Sequence, residues 1–142
     1  MNKKFDGGFS SILKSFLEGA ENTSFSVALG DTEYDNLDYP TIQLFMDSSN
    51  YQGDLEYEDS YVMFFVFEQG NPKNQSQRNE EYLELVDKME EAIGEIMKAL
   101  ERNGRVKEFK PVNFEAAIAE NTNNRLDVIE VTWGITKLER FR

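Results

Sequence analysis

The sequence predicts a single α+β domain over residues 1–142, with a mostly antiparallel sheet of four to five strands. A short N-terminal helix and one long amphipathic helix are expected to pack on that sheet. Two observations support this fold class. Five segments alternate apolar and polar residues as strands do, and two segments repeat apolar residues at helical spacing. The order, one helix, three strands, a long helix and two strands with short connections, favours antiparallel pairing with the helices on one face.

The helices have the clearest patterns. Residues 9–18, FSSILKSFLE, carry apolar residues at helical spacing, and Gly19 is expected to end this helix. Residues 78–102 form the longest periodic segment in the chain, with Asn79 at its start and Arg102 near its end. Its apolar stripe consists of Tyr82, Leu85, Val86, Met89, Ile93, Ile96 and Leu100. This stripe predicts a long helix that lies on the sheet.

The strands are expected at residues 24–30, 39–47, 60–69, 105–119 and 126–138. The third contains YVMFFVF, which is apolar at both alternating sets of positions, so both of its faces are expected to be covered. This run is also the longest apolar stretch in the chain. Seven residues are too few to cross a bilayer, and we therefore expect no association with a membrane.

The residue types exclude several kinds of chemistry. The chain contains no cysteine and no histidine. Disulfides, thiolate metal sites and cysteine nucleophiles are therefore excluded, together with every catalytic arrangement that uses a histidine base. The sequence also has no glycine-rich motif of the kind that binds phosphates. We expect neither an enzyme nor a cofactor.

The charge is concentrated in one segment. The chain has a formal net charge of −12, and residues 31–60 contain no lysine or arginine. The carboxylates of this acidic segment are Asp31, Glu33, Asp35, Asp38, Asp47, Asp54, Glu56, Glu58 and Asp59. Such a segment could hold a metal, carry out acid–base chemistry, mimic nucleic acid or simply face water.

A metal site is not supported by the spacing of these residues. Read as a calcium loop, residues 47–58 place Asp47 at position 1 and Glu58 at position 12. However, Gln52 occupies the place of the glycine that makes the turn, and Gly53 comes one residue late. Nothing in the sequence brings two carboxylates into a catalytic geometry either. Solvated surface carboxylates are therefore expected, with no metal.

Basic residues cluster away from the acidic segment, at the two ends of the chain. The tail over residues 137–142 is expected to be exposed. Segregated charge favours a contact between copies in which an acidic surface meets a basic one. Such head-to-tail contacts close into a ring when the rotation allows. The candidate lumen or interface residues are Asp47, Asp54, Glu56, Glu58, Asp59, Lys137, Arg140 and Arg142.

The layout as a whole resembles a known family. Residues 39–44 read YPTIQL, an acidic hairpin leads to YVMFFVF, and a single long helix precedes the closing phrase VIEVTWGITKL at 128–138. This resembles the tail terminator and tail-completion proteins of long-tailed bacteriophages, and more loosely the small head–tail connector proteins. The resemblance covers nearly the whole chain, and it is one of length and layout.

The resemblance implies a structural ring, expected as a homo-hexamer, that caps the tail tube and joins it to the head. Its partners would be further copies, the tail tube protein and head–tail connector proteins. It would be assembled in the host cytoplasm and reside in the virion. DNA would pass through an acidic lumen without specific binding, because carboxylates repel phosphates. The alternative is an acidic interaction protein or DNA mimic that binds a basic nucleic-acid-binding partner. A carboxylate enzyme with a divalent metal is a third reading.

Overall fold

The computed structural model describes residues 5–6, 8–69, 74–138 and 140–141. Within them the chain forms two α-helices, α1 (Phe9–Glu21) and α2 (Gln75–Glu101). The strands, in chain order, are β1 (Phe5–Asp6), β2 (Ser26–Leu29), β3 (Thr41–Gly53), β4 (Glu56–Glu68), β5 (Val106–Glu120), β6 (Arg125–Leu138) and β7 (Arg140–Phe141). The α+β class predicted from the sequence is confirmed.

One five-stranded sheet forms the body of the protein, with the strand order β2-β3-β4-β6-β5. The β2–β3 pair is parallel and the other pairs are antiparallel. The sheet therefore consists of two long hairpins, β3–β4 and β5–β6, joined along β4 and β6. The terminal strands β1 and β7 pair separately. The acidic segment contributes the distal half of the first hairpin, whose strands are longer than predicted.

The turn of the first hairpin is formed by Asp54 and Leu55, which both have positive φ, 52° and 62°. Positive φ at both central residues is the type I′ geometry, whose twist matches that of two antiparallel strands. This turn lets polar residues continue the ladder beyond the apolar part of β3 and β4.

The main core lies between the helices and one face of the sheet. The ring of Phe16 in α1 lies 5.3 Å from the ring of Tyr61 and 5.7 Å from that of Trp133, centroid to centroid. All three side chains are buried. A smaller cluster of Val66, Leu126 and Val128 lies on the opposite face, against Tyr34 and Tyr39. Both faces of β4 are therefore covered where it is most apolar, as the sequence predicts.

The long helix begins earlier than expected. The predicted start near Asn79 is wrong, because the side chain of Asn74 accepts a hydrogen bond from the backbone N–H of Gln77 at 2.9 Å. This contact satisfies one of the first N–H groups of α2, which lack a partner within the helix. At the other end, Arg102 caps the helix near the predicted position.

The predicted end of α1 at Gly19 is also wrong, since the helix continues to Glu21. Gly19 is buried at the crossing with α2, where a Cβ atom would come within 2.5 Å of the Cα of Ile96. The glycine is therefore needed for the close approach of two helix backbones. A salt bridge of 2.7 Å between Glu18 and Arg102 adds to the same helix pair.

We expect Gly19→Ala to destabilise the fold, because the two helices must move apart to accept one methyl group. Overpacking of this kind costs about 1–3 kcal/mol, more than the ~1 kcal/mol that alanine contributes within a helix. The matched control is Gly94→Ala in α2, where an added Cβ meets nothing within 4 Å and should stabilise the protein. Urea unfolding of both variants measures the difference. Equal stabilisation by the two substitutions would contradict the close crossing.

Candidate functional site

Three of the acidic candidate residues lie on the surface of the first hairpin. Asp47 on β3, Asp54 at the turn and Glu58 on β4 are all exposed. Glu56 is partly covered and accepts a hydrogen bond from the Nζ atom of Lys107 on β5 at 2.6 Å. The hydrogen bond to Glu56 and the charge of that carboxylate raise the pKa of Lys107. Asp47, Asp54 and Glu58 remain exposed toward a partner or a lumen, whereas Glu56 is paired with Lys107 of the same chain.

Asp59 is different, because it is buried. Its Oδ2 atom lies 2.5 Å from the Nζ atom of Lys137 and accepts a hydrogen bond from the Tyr61 hydroxyl at 3.1 Å. Its Oδ1 atom accepts a hydrogen bond from the Ser49 hydroxyl at 2.5 Å. A buried charge is tolerated when it is paired and hydrogen-bonded in this way. Asp59 is thus a structural group inside the protein and has no exposed surface for a contact.

The expectation of an exposed tail from residue 137 is wrong at Lys137, which is fully buried. Its Nζ atom lies 3.4 Å from the centroid of the Phe9 ring, a cation–π contact between β6 and α1. The reason is the two-residue period of a strand. Lys137 shares its face of β6 with the buried residues Trp133 and Ile135. Its position in the strand therefore indicates a buried side chain, although its charge suggests an exposed one.

The side chains of the other two basic candidates lie outside the described residues. Arg140 belongs to β7, but its side chain lies outside the described part of the protein, as does the whole of Arg142. Of the basic residues expected to form a partner surface at the C-terminus, only Lys137 has a described side chain, and that side chain is buried. Asp59 and Lys137, expected on two different surfaces, instead neutralise each other within one chain.

A second ion pair lies at the other end of the sheet. The Arg78 guanidinium on α2 is 2.8 Å from the Oδ1 atom of Asp127 on β6, which is also buried. Gln69 donates a hydrogen bond to the same oxygen at 3.0 Å. Asp127 and Lys137 lie on the same face of β6, near its two ends. Each contacts a helix through its charge, Asp127 at Arg78 of α2 and Lys137 at the Phe9 ring of α1. Neither Arg78 nor Asp127 was predicted from the sequence as a site residue.

The outer edge of the sheet at β5 is the largest feature that sequence reasoning missed. Within the described residues this 15-residue strand pairs only with β6, and residues 112–118 are exposed. Three of its large apolar side chains are half exposed or more: Val112 at 53%, Phe114 at 50% and Ile118 at 63%. Sheet edges usually carry lysine or other charges that prevent pairing with another chain. Residues 111–119 carry one charge, Glu115.

The opposite edge is shorter and more covered, with only the last of its four residues exposed. Strand β2 consists of the uncharged residues SVAL and, among the described strands, pairs with β3 alone. Leu29 at its end is 49% exposed. The sheet therefore ends on both sides in strands that pair on one side only among the described residues. Strand β2 carries no charge, whereas β5 carries five, of which Glu115 alone lies within residues 111–119. Such edges, with apolar side chains beside them, are typical of surfaces that contact other protein chains.

Other kinds of site find little support in the described residues. They contain no group of three or more carboxylates that could hold a metal ion. Nor do they contain a helix both long and apolar enough to span a membrane. A polar cleft lies between α1 and the turn after α2, but Arg102 there is bonded to Glu18, and Asn103 is bonded to Ser11 and Ser15. These groups hold the two helices together.

Comparison with known proteins adds no assignment, since neither a protein-family model nor a curated protein matches the chain. The fold and the candidate site therefore define a broad class only. The protein is an α+β domain whose two sheet edges, β2 and residues 111–119 of β5, expose apolar side chains, and whose first hairpin presents carboxylates.

We expect Asp59→Asn and Lys137→Met each to destabilise the protein strongly, because each leaves one buried charge without its partner. Such losses cost about 3–5 kcal/mol. The double replacement Asp59→Leu with Lys137→Met removes both charges and should recover much of the loss. The exposed pair is the control, and we expect Lys107→Met to change stability little. Urea unfolding compares the four variants, and a double replacement as unstable as the singles would contradict the pairing.

The stability at high pH should depend on Tyr61. Burial of the Tyr61 hydroxyl, together with the charge of Asp59 and their hydrogen bond, raises its pKa. Above pH ~10 an unfolded tyrosine loses its proton, whereas the folded protein keeps the Tyr61 proton, so stability falls as pH rises.

We therefore expect the unfolding free energy of Tyr61→Phe to fall less steeply between about pH 9 and 11 than that of the wild type. Tyr51→Phe, at an exposed tyrosine of the same hairpin, is the control and should keep the wild-type slope. Urea unfolding at several pH values gives the slopes. Identical slopes for all three proteins would show that Tyr61 does not carry the effect.

Proposed function

We propose that this protein is a structural subunit of a bacteriophage tail or neck. Copies assemble into a ring, expected to be a hexamer, that caps the tail tube and joins it to the head. The observation that carries the proposal is a sheet whose two terminal strands pair on one side only and expose apolar side chains, at Leu29 on β2 and within residues 111–119 of β5. An edge strand of this kind can pair its backbone N–H and C=O groups with a neighbouring copy, and its apolar side chains can pack against that copy. A subunit that works by assembly needs such surfaces and no catalytic groups.

The layout of the chain supports the same function. The tail terminator family was proposed from the order of a short helix, a strand pair, an acidic hairpin, a long helix and two closing strands. The fold has this order, with α1 before the β3–β4 hairpin and α2 before the β5–β6 hairpin. The further partners in this proposal are the tail tube protein and head–tail connector proteins. The assembled protein resides in the virion after assembly in the host cytoplasm.

The charge of the first hairpin gives the ring a physical role toward DNA. Asp47, Asp54 and Glu58 are exposed, whereas Lys107 of the same chain neutralises Glu56. If these carboxylates line the passage, six copies present a surface that repels phosphates, so DNA moves through without adhering. Asp59 takes no part, because Lys137 neutralises it inside the protein.

The mass of the protein in solution tests this proposal first. We expect light scattering at low and moderate salt, over a range of concentrations, to show a species near six times 16.4 kDa. If rings close only on the tube, purified tail tubes mixed with the protein should become capped in electron micrographs. Serum albumin, another acidic protein, is the control and should leave the tubes uncapped.

Two outcomes would contradict the ring. A monomer that neither assembles nor caps tubes removes the proposed function. A monomer that binds a basic DNA-binding protein and releases it in salt favours the DNA mimic instead, because surface charge pairs are screened by ions. Thermal stabilisation by magnesium or manganese would favour the metal-dependent enzyme.

A further inference from the structure

We infer that neighbouring copies join by adding strand β5 of one copy to strand β2 of the next. Residues 114–117 of β5 meet residues 26–29 of β2 in antiparallel register. The inference rests on the proposed self-assembly and names the surfaces that make it. A single continuous sheet would then run from one subunit into the next.

The two edges lie at the same height of the sheet. The strand registers place Leu29 of β2 level with Leu44, Met63, Val131 and Phe114 on β3, β4, β6 and β5. The same registers place Ser26 level with Ala117. The four residues of β2 and residues 114–117 of β5 are therefore matched across the full width of the sheet.

The strand directions are also compatible. Strand β2 runs parallel to β3, and three antiparallel steps separate β3 from β5, so β2 and β5 run in opposite directions. Neighbouring strands in a sheet are rotated by roughly −20 to −25°, so the rotation that brings the two edges of different copies side by side has its axis inclined to the strands. A copy generated by such a rotation presents its β2 to the β5 of its neighbour as an antiparallel partner.

The side chains at the matched positions suit each other. Leu29 and Phe114 lie on the helix-bearing face of the sheet, level with the core residues Met63 and Val131. They are 49% and 50% exposed, so each leaves half of a large apolar side chain for the other to cover. Glu115 is level with Ala28, so no like charge lies opposite the Glu115 carboxylate in the inferred pairing.

Four residue pairs make a small contact. In a closed ring every copy makes this contact twice, and the contact that closes the ring forms within one assembly at a high effective concentration. This feature distinguishes the pairing from its main alternative, in which β5 pairs with β5 of a second copy about a two-fold axis. That arrangement uses one edge only and ends at a dimer.

The absence of cysteine makes cross-linking a direct test. We prepare Leu29→Cys and Phe114→Cys as separate full-length proteins, mix them in equal amounts and oxidise them. Disulfides require Cα atoms about 4.4–6.8 Å apart, a distance that directly opposite strand residues satisfy. We expect a covalent dimer that contains one copy of each variant. The control mixture replaces Phe114→Cys by Ile118→Cys, about 13 Å further along the same strand, and should cross-link far less.

A blocking variant tests the same contact without cysteine. Phe114→Lys places a charge in the paired edge and should shift the assembled protein to monomer in light scattering. Leu83→Lys is the matched control, because Leu83 is an equally prominent apolar residue on α2, 63% exposed, outside both edges. We expect it to assemble as the wild type does. Urea unfolding of both variants shows whether each is folded.

The outcomes separate this inference from the proposed function. If the wild type assembles, Phe114→Lys still assembles and the 29/114 mixture does not cross-link, the inference is overturned while the ring stands. If Phe114→Cys cross-links mainly with itself, the two-fold β5 pairing replaces the one inferred. If the wild type neither assembles in solution nor caps tail tubes, the proposed function fails and the inference fails with it.

Discussion

The antiparallel ladder between β4 and β6 is the interaction on which the rest of the structure depends. It joins the two hairpins without a register shift from Glu56 opposite Leu138 to Glu68 opposite Leu126. The ladders on either side, β3–β4 and β5–β6, each contain irregularities. Because side chains alternate between faces, the β4–β6 register decides which residues meet the helices. A slip of one residue would turn the core set of both strands to the other face.

The same register determines where charge can be buried. At one end it places Asp59 opposite Ile135, two residues from Lys137 along the ladder, and at the other it places Asp127 opposite Phe67. Each of these charges lies on the face that carries the helices, where Lys137 contacts Phe9 of α1 and Asp127 contacts Arg78 of α2. The helices are thus held to the sheet by apolar packing along its middle and by charges near both ends.

Local patterns in the sequence predicted the parts of this fold that local physics decides. The helical stripe of α2, the two-sided apolar run of β4 and the alternation of β6 all identified their elements. The errors arose where a distant partner overrides the local preference. Glycine commonly ends a helix, but Gly19 lies inside α1, where Ile96 of α2 packs against it. Lys137 has the charge of a surface residue, but Asp59, far away in the chain, makes its burial tolerable.

The candidate site was harder to predict than the fold. Whether a strand is central or at an edge depends on the order in which strands pair, and alternation is similar in both cases. The segment 105–119 therefore was predicted as a strand, while its exposure along residues 112–118 could be found only with the whole sheet assembled. The acidic segment was visible from composition, yet composition alone did not distinguish exposed Asp47 from buried Asp59.

The long separation between β4 and β6 has a consequence for folding. Each hairpin closes over a short loop. The β4–β6 ladder instead joins strands separated in the chain by α2 and β5, so its formation is expected to be slower than that of either hairpin. Trp133, the single tryptophan of the chain, lies on β6 in this ladder, opposite Tyr61 and against Phe16 of α1. Its environment changes from water to a dry aromatic cluster when the hairpins join. Tryptophan fluorescence in a refolding experiment therefore reports the joining of the two halves of the protein, with no added label.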